Sequence, residues 1–162
     1  MLEQHPYKNE SVLFVDDEKY AISTVQRLFN QDFTIYTACG AEEALEILRK
    51  HSEIIVLVTD LRMPKIDGME LIRRVSNEYP AIVSILLTAY ADTALIADTM
   101  REGILYQYVS KPYDAKILRQ QIVQGIKWNV VTKERDICDV ERMELRKEIE
   151  EIRKTKGEGL LS

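Results

Sequence analysis

The sequence predicts an α/β fold, a doubly wound, five-stranded parallel sheet followed by an extended C-terminal helix. Three observations lead there. Five short apolar runs recur through residues 1–125. Stretches with helical spacing of apolar residues separate them. The final stretch is dense in charge, lacks proline, and has no glycine between Ile126 and Lys156. Short runs rich in β-branched residues suit strands, and near-continuous hydrophobicity suits strands covered on both faces. Strands alternating with helices, joined by right-handed crossovers, give a (βα)5 unit.

Each element follows in order. Val12-Leu13-Phe14-Val15 is the first strand, and Ala21, Val25, Leu28 and Phe29 stripe the helix after it. Thr34-Ile35-Tyr36-Thr37 is the second strand, followed by a helix with Ala44, Leu45 and Leu48 on one face. Residues 54–58 form the third strand, and Met69, Leu71, Ile72 and Val75 stripe the third helix. Residues 82–87 form the fourth strand. Ala94, Ile96, Ala97 and Met100 belong to the next helix, with Gly103 as its stop. Residues 105–109 form the fifth strand, and Ile117, Leu118, Ile122 and Ile126 begin the fifth helix.

Composition bounds the function. A chain of 162 residues, 46% hydrophobic and 30% charged, supports one folded domain plus an appendage. The net charge of -5 and pI near 5.2 oppose a broad nucleic-acid footprint, so no nucleic-acid contact is expected. Two cysteines, Cys39 and Cys138, suit a reducing cytoplasm. The longest apolar run, Ile54 to Val58, is too short to cross a membrane, and residues 1–10 lack the apolar centre of a secretion signal. Charge also divides the chain: residues 1–125 hold the whole net charge of -5, while residues 126–162 are neutral overall with 18 charged residues among 37. The expected organisation is an N-terminal extension over 1–10, a globular domain over 11–125, a charged helix over 126–156 serving as coiled coil or linker, and a tail over 157–162. Gly157 and Gly159 are expected to break the helix.

In a doubly wound sheet the site lies at the carboxyl ends of the strands, at the topological switch point. Strand one ends in Asp16-Asp17-Glu18, strand three in Asp60, strand four in Thr88-Ala89 and strand five in Ser110-Lys111-Pro112. Singly, each residue has a plain structural reading: a cap, a turn residue, a surface lysine. Together they put three acids, a hydroxyl and a lysine on one rim. Clustered carboxylates resist joint ionisation, and a bound hard cation such as Mg²⁺ relieves the conflict. A carboxylate partly neutralised by a metal can attack phosphorus and form an aspartyl phosphate. A lysine and a hydroxyl supply the charge and the hydrogen bond that phosphoryl oxygens need. Asp67-Gly68 reads as a turn and helix start. His5 and His51 carry no partner motif.

Phe14-Val15-Asp16-Asp17-Glu18, Val58-Thr59-Asp60-Leu61-Arg62-Met63-Pro64, Asp67-Gly68, Leu87-Thr88-Ala89 and Ser110-Lys111-Pro112-Tyr113 resemble the motifs of two-component response-regulator receiver domains, in order and over about residues 10–125. The resemblance implies a flavodoxin-like fold with Asp60 as phospho-acceptor. It implies Mg²⁺ held by Asp16, Asp17, Asp60 and the backbone carbonyl of Arg62. It makes Thr88 the switch hydroxyl, Tyr108 the switch aromatic and Lys111 the phosphate-binding lysine, with a Lys111-Pro112 bond that is often cis in the family. It further implies a sensor histidine kinase or phosphotransfer protein as partner. The output would be a changed face of the fourth helix, fifth strand and fifth helix. Arg62 and Tyr90 flank the approach to the phosphoryl group, and their bulk is expected to slow dephosphorylation. The chain is expected to perform only its own phosphorylation chemistry. A Mg²⁺-dependent phosphatase would instead favour an Asp-x-Asp pattern after strand one, and a scaffold without phosphorylation would not need the intact acids, Thr88 and Lys111.

The charged helix fits a heptad frame. Trp128, Arg135, Arg142 and Ile149 fall at a, and Val131, Cys138, Leu145 and Ile152 at d. A homodimer is expected through this helix, through the face built from the fourth helix, fifth strand and fifth helix, or through both. Leu160-Leu161-Ser162 leaves two readings open, a stand-alone regulator or the front part of a longer one.

Overall fold

The computed structural model describes residues 5–89 and 93–158. The elements run β1 (Ser11–Val15), α1 (Lys19–Phe29), β2 (Thr34–Ala38), α2 (Ala41–Lys50), β3 (Ile54–Asp60), α3 (Gly68–Glu78), β4 (Val83–Thr88), α4 (Thr93–Arg101), β5 (Gln107–Ser110) and α5 (Ala115–Glu158). The five strands pair in parallel in the order β2-β1-β3-β4-β5. The flavodoxin-like sheet read from the sequence is therefore the fold.

Strand alternation sorts the core into two layers. Leu13, Val15, Leu57 and Leu86 pack with α2, α3 and α4. Val12, Phe14, Val58 and Ile85 pack with Val25 and Phe29 of α1 and with Leu118, Ile122 and Ile126 of α5. An extra residue enters β3 where its pairing with β1 shifts between Ser11 and Val12. Ile55 and Val56 consequently share the α1–α5 side.

Strand β5 starts later than its apolar run. The backbone N–H groups of Ile104 and Leu105 both donate to the Thr99 carbonyl, so this stretch belongs to the turn leaving α4. Leu105 is still buried, and the strand begins at Gln107. Gly103 takes a φ of 75°, the left-handed conformation that suits glycine at a helix end.

Gly157 does not break α5, which continues to Glu158. A glycine in an exposed helix costs only about 1 kcal/mol relative to alanine, and the preceding turns carry the helix past it. Gly159 lies outside the described residues. The chain divides into two compact units between Asn129 and Val130. In the first, Ile126 and Asn129 are both buried, and the Asn129 side-chain amide donates to the Ala81 carbonyl. The second is the charged remainder of α5. No helix of the described residues is long and apolar enough to cross a membrane.

Candidate functional site

Strand order makes the site. Strand β1 pairs with β2 on one side and β3 on the other. Helix α1 covers one face of the sheet and α3 the opposite face, so the chain leaves β1 and β3 in opposite directions. A crevice opens between their carboxyl ends. Register then aligns the side chains. Val15 pairs with Thr59, which sets Asp16 beside Asp60. Asp60 pairs with Leu87, and Thr88 with Ser110, which brings Thr88 and Lys111 to the same rim.

The side chains meet as the register requires. Carboxylate oxygens of Asp16, Asp17 and Asp60 lie within 4.8 Å of one another. The Lys111 ammonium lies 3.1 Å from Asp60 Oδ1 and 3.5 Å from Asp16 Oδ2. The Leu61 N–H donates to Asp60 Oδ1 at 2.9 Å, and the Glu18 N–H donates to Asp16 Oδ1 at 2.9 Å. Asp16 is buried and Asp17 exposed. Thr88 is buried at the end of β4, and its carbonyl accepts the Lys111 N–H at 2.9 Å. The Lys111-Pro112 peptide is cis. Tyr108 is half-buried and packs against the core layer of α2, α3 and α4. Arg62 is exposed on the β3–α3 loop, and Tyr90 lies outside the described residues.

Electrostatics set the site's character. Burial raises the Asp16 carboxyl above its ordinary value. The Glu18 N–H and the Lys111 charge oppose that rise, and the Asp60 charge adds to it. Burial pulls Lys111 down, yet the hydrogen bond to Asp60 and the charges of Asp16 and Asp60 outweigh it, and the ammonium is held above the ordinary lysine value. Lys111 thus stays a cation, while the acids keep more negative charge together than it can neutralise. An all-oxygen donor set with that surplus fits a hard divalent cation such as Mg²⁺.

Several supporting contacts carried no sequence signal, or only a faint one. Thr59 is fully buried within an apolar strand, and its hydroxyl donates to the Asp60 carbonyl at 3.0 Å. Its place between the apolar run Ile54–Val58 and Asp60 was the available hint. A Cβ on Gly68 would stand 2.0 Å from the Asp60 carbonyl oxygen, so the start of α3 rests directly on the Asp60 backbone. Asp67 caps α3 by accepting the Glu70 N–H at 2.8 Å, in keeping with its reading as a helix start. Between Asp60 and Asp67, Lys65 takes a φ of 67°, and the Ile66 N–H donates to the Pro64 carbonyl at 2.8 Å. That tight three-residue turn folds the β3–α3 loop back beside Asp60.

Fold and site together define a class, a doubly wound parallel sheet with three acids and a lysine gathered at the carboxyl ends of its strands. A family model described as the response regulator receiver domain matches residues 12–123. The chain belongs to that family. The hydrogenase transcriptional regulatory protein HoxA of Cupriavidus necator is 31% identical over 119 residues, a match spanning 74% of this chain and 24% of that protein. The chain thus spans about a quarter of that relative's length. Sporulation initiation phosphotransferase F of Bacillus subtilis is 29% identical over 115 residues, 70% of this chain and 91% of that protein. A crystal structure of adenylate cyclase from Rhodopirellula baltica matches with a TM-score of 0.76 and 29% identity, covering 81% of this chain and 98% of that one.

Proposed function

We propose that this protein is a phosphorylation-dependent signalling switch in which Asp60 accepts a phosphoryl group from a phosphohistidine of a sensor histidine kinase or phosphotransfer protein. One observation carries the reading. The Asp60 carboxylate is held at once by the Lys111 ammonium at 3.1 Å and the Leu61 N–H at 2.9 Å, beside two further acids.

In the transfer, an Asp60 oxygen forms a bond to phosphorus as the donor's phosphorus–nitrogen bond breaks, and the electron pair leaves with the imidazole nitrogen. Asp16, Asp17, Asp60 and the Arg62 carbonyl would hold Mg²⁺, whose charge offsets repulsion between carboxylates and entering phosphoryl oxygens. Lys111 supports a developing negative oxygen from the other side. The phosphoryl group adds roughly -1.5 to -2 of charge and strong acceptors. Thr88 moves to donate its hydroxyl to one of them, Tyr108 rotates inward, and the α4-β5-α5 face changes. This is a population shift between two packings, read by a partner, an output domain or a second copy. The chain works in the cytoplasm and performs no chemistry beyond its own phosphorylation and dephosphorylation.

Incubation with Mg²⁺ and a small phosphodonor tests the reading. Wild type takes up one phosphoryl group and Asp60→Asn takes up none. Equal uptake by both proteins, or uptake by neither, refutes it. Arg62 and Tyr90 hinder the hydrolytic water in the same scheme, so Arg62→Ala and Tyr90→Ala shorten the phosphoryl lifetime. Unchanged dephosphorylation rates would remove that role.

A further inference from the structure

The charged half of α5 leaves large apolar side chains in water. Val131, Leu145, Ile149 and Ile152 are 50%, 57%, 49% and 54% exposed. They fall on one line of the helix at alternating three- and four-residue steps, completed by Arg135, Cys138 and Arg142. A competing line through Val130, Ile137 and Val140 runs next into Glu144 and Lys147 and ends there. Only the first line stays apolar at d throughout and reaches Ile152.

We infer that α5 from Val131 to Ile152 pairs with the same segment of a second copy of this chain, parallel and in register. Charge complementarity selects this occupant and this orientation. In a parallel pair, each g residue faces the e residue five positions on in the other helix. Glu141 then faces Arg146 of the second copy, and Glu148 faces Arg153 of the second copy; only Glu134 against Asp139 repels. An antiparallel pair sets g against g and e against e. The three g glutamates would then oppose one another.

The same geometry accounts for the polar a positions. The hole that receives an a residue includes the g residue just before the facing a position. Arg135 and Arg142 each follow a glutamate, Glu134 and Glu141. Each arginine therefore meets a glutamate of the second copy as well as its own counterpart. Within its own helix Arg142 has Asp139 at 3.9 Å, both largely exposed, a contact that contributes little. The arginines weaken the apolar seam but make it selective for a parallel, in-register copy.

Sedimentation equilibrium on the full chain tests this. One variant carries Glu134→Arg, Glu141→Arg and Glu148→Arg; a second carries Arg135→Glu, Arg142→Glu, Arg146→Glu and Arg153→Glu. Wild type is expected at twice the 18.8 kDa chain mass. Each variant alone is expected as a monomer, its dimer dissociation constant raised at least about tenfold. An equimolar mixture is expected to restore the dimer, because every reversed contact then finds its opposite. Circular dichroism checks that both variants keep their helix content. Wild type remaining at single-chain mass overturns the inference. So do variants that dimerise as well as wild type, the result for an antiparallel pair or a different face, and so does a mixture that stays monomeric.

Discussion

Burial works against the charge on Asp16 more strongly than Lys111 works for it, so this carboxyl holds its proton more tightly in the folded chain than in the unfolded one. Its contribution to stability is then full below the unfolded pKa and is lost as pH rises through the raised folded pKa. Asp16→Asn keeps an acceptor for the Glu18 N–H and cannot ionise. In chelator at neutral pH, thermal denaturation of this variant is expected above wild type, with the gap closing toward acid pH. Saturating Mg²⁺ reverses the order. A ligand at a hundred times its Kd stabilises by about 2.7 kcal/mol, and the variant loses most of that gain with one carboxylate gone. A Tm below wild type in chelator would contradict this account of Asp16. The acids and Lys111 were legible in the sequence because their chemistry is in their side chains. The Leu61 N–H and the carbonyl contact at Gly68 were not, because backbone groups carry no residue label.

Helix α3 begins against the Asp60 backbone, and Gly68 makes that approach possible. Gly68→Ala brings a Cβ to 2.0 Å from backbone, where no flexible side chain can yield. The expected loss is about 2–3 kcal/mol in denaturant unfolding, with slower phosphoryl uptake because Asp60 is displaced. Wild-type values on both measurements would show that the loop absorbs the methyl freely. Element types were readable from periodicity, while two boundaries were not. The start of β5 depends on backbone bonds to Thr99 that no side-chain pattern announces. The end of α5 passes Gly157 because nothing tertiary opposes it there, and no heavy atom beyond its own helix lies within 4 Å of a Cβ built on it.

At the scale of the molecule, the sequence's change in charge density after residue 125 marks a change of solvent exposure rather than the end of packing. Ile126 is 2% exposed and Asn129 3% exposed, so the compact unit keeps one more turn of α5. A chain ending at residue 132 keeps both of these buried side chains and serves as the reference for denaturant unfolding. One ending at residue 125 loses the buried Ile126 side chain and the Asn129 anchor, at about 2–4 kcal/mol. Equal midpoints would place the boundary at residue 125. The surplus of negative charge belongs wholly to the globular part, and three of its acids make the site. The most direct test of their purpose is chemical trapping. After reaction with a small phosphodonor and Mg²⁺, borohydride reduces an acyl phosphate to an alcohol, and peptide mass spectrometry locates the altered residue. The account predicts homoserine at position 60 alone; reduction at Asp16 or Asp17, or at no residue, would contradict it.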